Sequence, residues 1–216
     1  MSKKVGIVLA GCGVYDGSEI HEAVLTLLAL DRSGAEVLMC APNKEQAHVI
    51  NHLTGDVMEE SRNTLVESAR IARGEITDIA SVSATDFDAL IFPGGFGAAK
   101  NLCNFAFEGT AMEVDSEVVR LVAETHAAQK PIGFICISPT IAAKLIPGVQ
   151  LTLGAACEAS EAAEAMGARH EVTAVTECVV DSKNKVVSTS AYMMGPWVAA
   201  VAQGIDALVE EVLSLS

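Results

Sequence analysis

A cysteine that ends a short apolar strand, with the chain turning at once toward a helix, is the residue of this sequence best placed to act as a nucleophile. It is Cys136, in the stretch Lys130-Pro-Ile-Gly-Phe-Ile-Cys-Ile-Ser-Pro139. A sharp strand-to-helix turn lifts the side chain out of the sheet edge and aims the first free N–H groups of the next helix at it, which favours a thiolate. The same position suits a small buried core cysteine. The neighbouring motifs weigh toward the reactive reading.

One such motif follows the apolar run Ala89-Leu-Ile-Phe92, where Pro93-Gly-Gly-Phe-Gly-Ala-Ala-Lys-Asn101 opens a glycine-rich turn. In a doubly wound sheet, ligands bind beyond the carboxyl ends of the strands, so the loops after 92 and after 135 are expected to line one crevice. The N–H of Gly94 or Gly95 and that of Ile137 are candidate oxyanion donors for a tetrahedral adduct on Cys136. A Gly-Gly pair by itself marks only a tight turn. Lys100 and Asn101 fit two roles equally, capping the following helix or fixing substrate oxygens. A second motif, Ala10-Gly-Cys-Gly-Val-Tyr-Asp-Gly-Ser-Glu-Ile-His-Glu22, brings Glu19, His21 and Glu22 to the same edge. A carboxyl partly buried beside a thiol can hold a proton and shuttle it during addition to a carbonyl. Acidic residues also complement a helix N-terminus, which accounts for one glutamate better than for two. Gly11, Gly13 and Gly17 do not match the GxGxxG spacing, so no dinucleotide is expected. The five histidines, at 21, 48, 52, 126 and 170, give no complete Cys–His–acid triad.

These residues need a scaffold that sets strand ends side by side, and the pattern supplies one. Strand-like runs near 4–10, 36–41, 76–80, 88–93, 132–136 and 150–153 alternate with helical patterns, the signature of an α/β fold with a mostly parallel sheet covered on both faces. Helices are expected over 19–33, with Ile20, Val24, Leu27 and Leu28 on its apolar face, and over 61–73, 113–128 and 197–213. A polar turn between β-branched pairs at 177–189 reads as a surface hairpin. With 216 residues, half of them apolar, the chain can bury one sizeable core, so a single domain over 1–216 is expected. A formal net charge of −14 leaves no basic stripe for phosphates, which argues against nucleic acid and anionic membranes and for a small-molecule partner. No apolar run of membrane-spanning length and no secretory leader is read, and the six scattered cysteines lack zinc spacing. A soluble cytoplasmic protein with free thiols, no metal and no cofactor is the expectation.

Taken together, the loop Gly11–Glu22, the segment Glu67-Ser-Ala-Arg-Ile-Ala-Arg-Gly-Glu-Ile76, the loop Pro93–Leu102 and the Cys136 elbow resemble the ElbB, or enhancing-lycopene-biosynthesis, family of the PfpI-like, class I glutamine-amidotransferase-like superfamily. The resemblance implies a flavodoxin-like three-layer sandwich and a homodimer, for which Met193, Met194 and Trp197 are interface candidates. It implies that Cys136 is the reactive centre and that a glutamate of the first helix contacts its sulfur. Counting back from Gly34 favours Glu22 over Glu19. The activity it implies is a cofactor-independent glyoxalase that turns glyoxal into glycolate, reflecting deglycation, by thiolate addition to a small aldehyde. The alternative is a redox-responsive binding module, linked to isoprenoid biosynthesis, with an oxidisable elbow cysteine. Two departures imply low turnover and argue against glutamine hydrolysis. Ile137 stands where amidase relatives carry a histidine, and Gly154-Ala-Ala-Cys-Glu158 lacks the histidine that glyoxalase relatives bring from a later loop.

Overall fold

The computed structural model describes residues 2–195 and 197–216. Its centre is built from β1 (Lys4–Val8), β2 (Glu36–Ala41), β3 (Thr77–Asp78), β4 (Ala89–Phe92) and β5 (Ile132–Ile135). Residues Val5–Val8 and every residue of β4 and β5 are buried, as runs with apolar side chains on both faces must be inside a parallel sheet. The helices between these strands are α1 (Ile20–Arg32), α2 (Thr64–Ile71), α3 (Phe96–Lys100), α4 (Phe105–Glu108) and α5 (Ser116–Ala127). After β5 come α6 (Pro139–Leu145), β6 (Gln150–Gly154), α7 (Glu158–Ala165), β7 (Arg169–Val172), β8 (Cys178–Asp181), β9 (Val186–Thr189) and α8 (Val198–Leu215).

The central sheet has the order β3-β2-β1-β4-β5-β9-β8 and is parallel except for the β8–β9 pair. Side chains alternate across it. Ile7, Leu9, Ile91 and Ile135 meet α1 and α8, whereas Val8, Leu90, Phe92 and Phe134 meet α5 and α6. The rings of Phe92 and Phe134 stack with centroids 5.0 Å apart across the β4–β5 pair. The result is the expected α/β sandwich, a mostly parallel sheet with helices on both faces.

Three expectations need correction. The strand expected at 150–153 exists, yet it pairs with β7 in a separate two-stranded sheet, and β7 and the Ala- and Glu-rich α7 are not among the expected elements. The 177–189 hairpin is not a surface feature. β9 is buried along its whole length because it is also hydrogen-bonded to β5, which puts its carboxyl end beside the elbow. α1 is turned over relative to the expected face: Ile20, Val24 and Leu28 are exposed, and Glu22, Ala23, Thr26, Ala29 and Leu30 are buried. The close seat of α1 between the sheet and α8 admits small side chains, and that rotation points a carboxyl inward.

Candidate functional site

The end of β5 builds the site. Cys136 has φ +63°, a left-handed conformation that a residue with a Cβ adopts at a cost of about 1–3 kcal/mol unless its surroundings hold it. Here they do. The Cys136 N–H donates to the Thr189 carbonyl at the end of β9 (2.9 Å). The Ser138 hydroxyl bridges the Phe92 carbonyl (2.8 Å), the Ile135 carbonyl (2.9 Å) and the Ile135 N–H (2.8 Å), tying the turn to the neighbouring strand. Pro139 then opens α6, with its missing N–H at a position that needs none. The elbow read from the sequence is therefore present, held from both sides by strand ends.

The loop after β4 closes over the thiol. Gly95 has φ +90°, where glycine is unstrained, and the N–H groups of Gly95 and Ile137 point at the Cys136 sulfur. Gly94 serves a different purpose from the one expected. Its N–H donates to Glu22 Oε2 (2.9 Å), so it anchors the carboxyl and is not free for an oxyanion. It must be glycine because a Cβ there would lie 2.5 Å from the Cys136 Cβ and 2.8 Å from the Ile135 carbonyl oxygen. Gly94→Ala is expected to destabilise the fold by about 2 kcal/mol or more, measured by denaturant unfolding, since backbone must move to admit the methyl group.

Of the two glutamates, Glu22 is the one at the thiol. It is fully buried, hydrogen-bonds Cys136, and also accepts from the Tyr192 N–H (3.4 Å). Glu19 is the N-cap of α1, accepting from the Glu22 N–H (2.7 Å), and it also borders the cavity above the thiol. Burial, and next the charge of Glu19, push the Glu22 carboxyl up to about 8. Burial also pushes the Cys136 thiol well above its ordinary value, and an ionised Glu22 pushes it further, against the Gly95 and Ile137 N–H groups. The thiolate-favouring elbow expected from the sequence is thus overridden by desolvation. Both groups are thus held toward their protonated forms, and because each shifts the other their titrations are coupled.

The cavity over Cys136 measures about 250 Å³. Val14, Phe96, Ile137, Tyr192 and Met193 make most of its wall apolar, while Glu19 adds a carboxylate. Tyr192 was not legible as a site residue. Its phenol meets His21 Nδ1 at 2.7 Å, so a histidine from α1 and a tyrosine from beyond β9 form a hydrogen-bonded pair beside the thiol. The signal that could have found it is positional, an aromatic residue just past a strand's carboxyl end, hidden by reading 177–189 as peripheral. Met193 proves to be a cavity residue, whereas Met194 and Trp197 are exposed.

Asn101 is not brought to the cavity. Its Nδ2 donates to the carbonyls of Ala10 (2.8 Å) and Asp16 (2.9 Å), and its Oδ1 accepts from the Ala47 N–H (2.9 Å), so its side chain fastens the glycine loop 11–17 and is not a substrate ligand here, while its backbone N–H caps the end of α3 at the Gly97 carbonyl. Lys100 donates to the Tyr15 carbonyl (3.1 Å). His52 is engaged by the Tyr15 N–H and the Ile50 carbonyl, and His21 is hydrogen-bonded to Tyr192 of the cavity wall. Among the described residues, no group of three or more His, Cys, Asp or Glu side chains is placed to hold a metal ion.

The model of the DJ-1/PfpI family matches residues 9–203. Among curated proteins, the chain is 52% identical to the rat "ES1 protein homolog, mitochondrial", covering 99% of this chain and 84% of that one. It is also 52% identical to the human "Glutamine amidotransferase-like class 1 domain-containing protein 3, mitochondrial", over 99% and 83% of the two chains. These names, with that of a zebrafish relative at 36% identity, overturn the cytoplasmic location expected from the sequence and point to the mitochondrion. Among solved structures, an isoprenoid biosynthesis protein with amidotransferase-like domain from Ehrlichia chaffeensis superimposes with a TM-score of 0.93 at 38% identity, covering 99% of both chains. Drosophila DJ-1beta, at 19% identity and a TM-score of 0.56, shares the fold.

Proposed function

The chain belongs to the DJ-1/PfpI family, and from that premise we propose that it is an ElbB-like, cofactor-independent glyoxalase that converts glyoxal to glycolate through a hemithioacetal on Cys136. The family includes glyoxalases and deglycases as well as proteins linked to isoprenoid biosynthesis. The observation that carries the reading is the buried Glu22 carboxyl hydrogen-bonded to a cysteine on a strained elbow, at the floor of a small, largely apolar cavity.

The chemistry balances without an external oxidant. The thiol proton passes to the Glu22 carboxylate as sulfur adds to one aldehyde carbon. The oxygen of that carbon becomes an alkoxide facing the N–H groups of Gly95 and Ile137 and takes the proton from Glu22, which is thereby a carboxylate again. Glu22 next takes the remaining hydrogen of that carbon as a proton while the second carbonyl oxygen gains one, which gives an enediol; Glu22 then returns its proton to the neighbouring carbon as the first carbon's hydroxyl gives up its own. One carbon is oxidised to a thioester while its neighbour is reduced to an alcohol. Water releases glycolate and restores the thiol. The Tyr192 phenol, hydrogen-bonded to His21 and carried by a residue of the cavity wall, would donate to the second carbonyl oxygen.

The state that starts this sequence carries one proton on the Cys136–Glu22 pair. The raised pKa of the Cys136 thiol also weighs against an oxidation sensor, which needs a low-pKa thiolate. The test is glycolate formation from glyoxal by rigorously purified protein with no added thiol. Steady turnover proportional to protein concentration supports the proposal, and no turnover above the buffer rate overturns it.

A further inference from the structure

A second cavity, of about 210 Å³, adjoins the first and is lined by Tyr15, Ile50, Gly55, Phe96 and Lys100. The two share the Phe96 ring as a common wall. Glyoxal, with two carbons and no charge, has no use for this second space. We propose that it receives the carboxylate end of a longer α-oxoaldehyde, held by the Lys100 ammonium while the aldehyde end reaches Cys136 past the Phe96 ring.

Several observations fix the direction. The Lys100 ammonium is set in place by the Tyr15 carbonyl (3.1 Å) and lies 5.0 Å from the centre of the Phe96 ring. Among the described residues it forms no ion pair, so donors remain for a ligand. Asp16, the nearby carboxylate, is already engaged by the Ile50 N–H (2.7 Å). In a chain of net charge −14, an anion needs a local cation to enter at all. The thiol end repels an anion, because the Glu19 carboxylate borders that cavity. A carboxylated substrate is therefore oriented with its charged end outward at Lys100 and its aldehyde inward. A single ammonium with apolar neighbours fits a monoanionic carboxylate better than a phosphate, which calls for several converging donors. Partial burial lowers the Lys100 pKa, and a carboxylate seated beside the ammonium would raise it again.

This assignment rests on the proposed aldehyde chemistry at Cys136, and its test is chosen to separate the two. Levulinate, a keto acid that cannot isomerise, and its uncharged methyl ester are compared as protectants of Cys136 against iodoacetamide, followed by mass spectrometry. Levulinate is expected to protect at about tenfold lower concentration than the ester, the worth of one partly desolvated charge-assisted contact, and Lys100→Met is expected to bring that ratio close to one. Equal protection by acid and ester in the wild type, or a ratio unchanged in the variant, overturns the proposal. In parallel, γ,δ-dioxovalerate is expected to give α-hydroxyglutarate with a KM below that of uncharged propylglyoxal. Charge-selective protection with neither compound turned over would leave the carboxylate site standing and overturn the glyoxalase reading alone.

Discussion

Cys136→Ser is expected to lower glycolate formation from glyoxal by about a thousandfold or more while leaving the midpoint of denaturant unfolding nearly unchanged. The hydroxyl is almost isosteric with the thiol, so it fits the space between Gly94 and Glu22 and can still donate to the Glu22 carboxylate. What it lacks is acidity. Burial disfavours an anion at this position even for sulfur, and an alkoxide starts from a far higher intrinsic pKa. The addition step fails although the cavity, the Gly95 and Ile137 donors and Tyr192 all remain. A serine variant that keeps wild-type turnover would remove Cys136 from the chemistry and the glyoxalase reading with it.

Glu22→Gln is expected to have two separable effects. The wild-type kcat/KM rises with pH through about 8, where the first proton leaves the Cys136–Glu22 pair, because the reactive state holds one proton and the resting state below that pH holds two. Glutamine cannot accept the thiol proton, so the variant loses that limb and about a hundredfold or more in kcat. The second effect is on stability. The Glu22 carboxyl is raised from an ordinary 4.5 to about 8 in the folded protein. Below pH 4.5 both states are protonated and the favourable contribution is fully present. Between there and about 8 the unfolded chain releases the proton and the folded chain keeps it, so stability falls by up to about 1.4 kcal/mol per pH unit, and it levels off above. The glutamine variant lacks this fall. Having one carbonyl oxygen for the N–H groups of both Gly94 and Tyr192, it starts about 1–3 kcal/mol less stable at pH 5, and the gap narrows as pH rises. Parallel stability curves for the two proteins from pH 5 to 8.5 would show that Glu22 is ionised in the fold and would remove the shared proton from the mechanism.

Both experiments turn on residues whose legibility in the sequence differed. Cys136 was legible because an elbow is local: an apolar strand, a cysteine, then Ser138-Pro139 opening a helix fix the turn within a few residues. Gly95 and Ile137 followed from the rule that loops at the carboxyl ends of adjacent strands face one another. Gly94 was placed in the right loop and given the wrong task, since only the approach of Glu22 shows which N–H is already engaged. Asn101 looked like a substrate ligand because its three backbone partners, in loops around residues 10, 16 and 47, are remote in sequence.

The sequence by itself determined the layered α/β architecture, the strand-to-helix turn at Cys136 and the glycine loop beside it, because each is written in contiguous periodicity and turn chemistry. Tertiary structure decided which way α1 faces, since the helix carries two candidate apolar stripes and only its packing against the sheet and α8 selects the one that turns Glu22 inward. It likewise decided that Tyr192 and His21 meet beside the thiol, because β9 is drawn into the sheet next to β5. It also raised both members of the Cys136–Glu22 pair above their ordinary values. Desolvation depends on every group packed around a site, and no local pattern of residues encodes that sum.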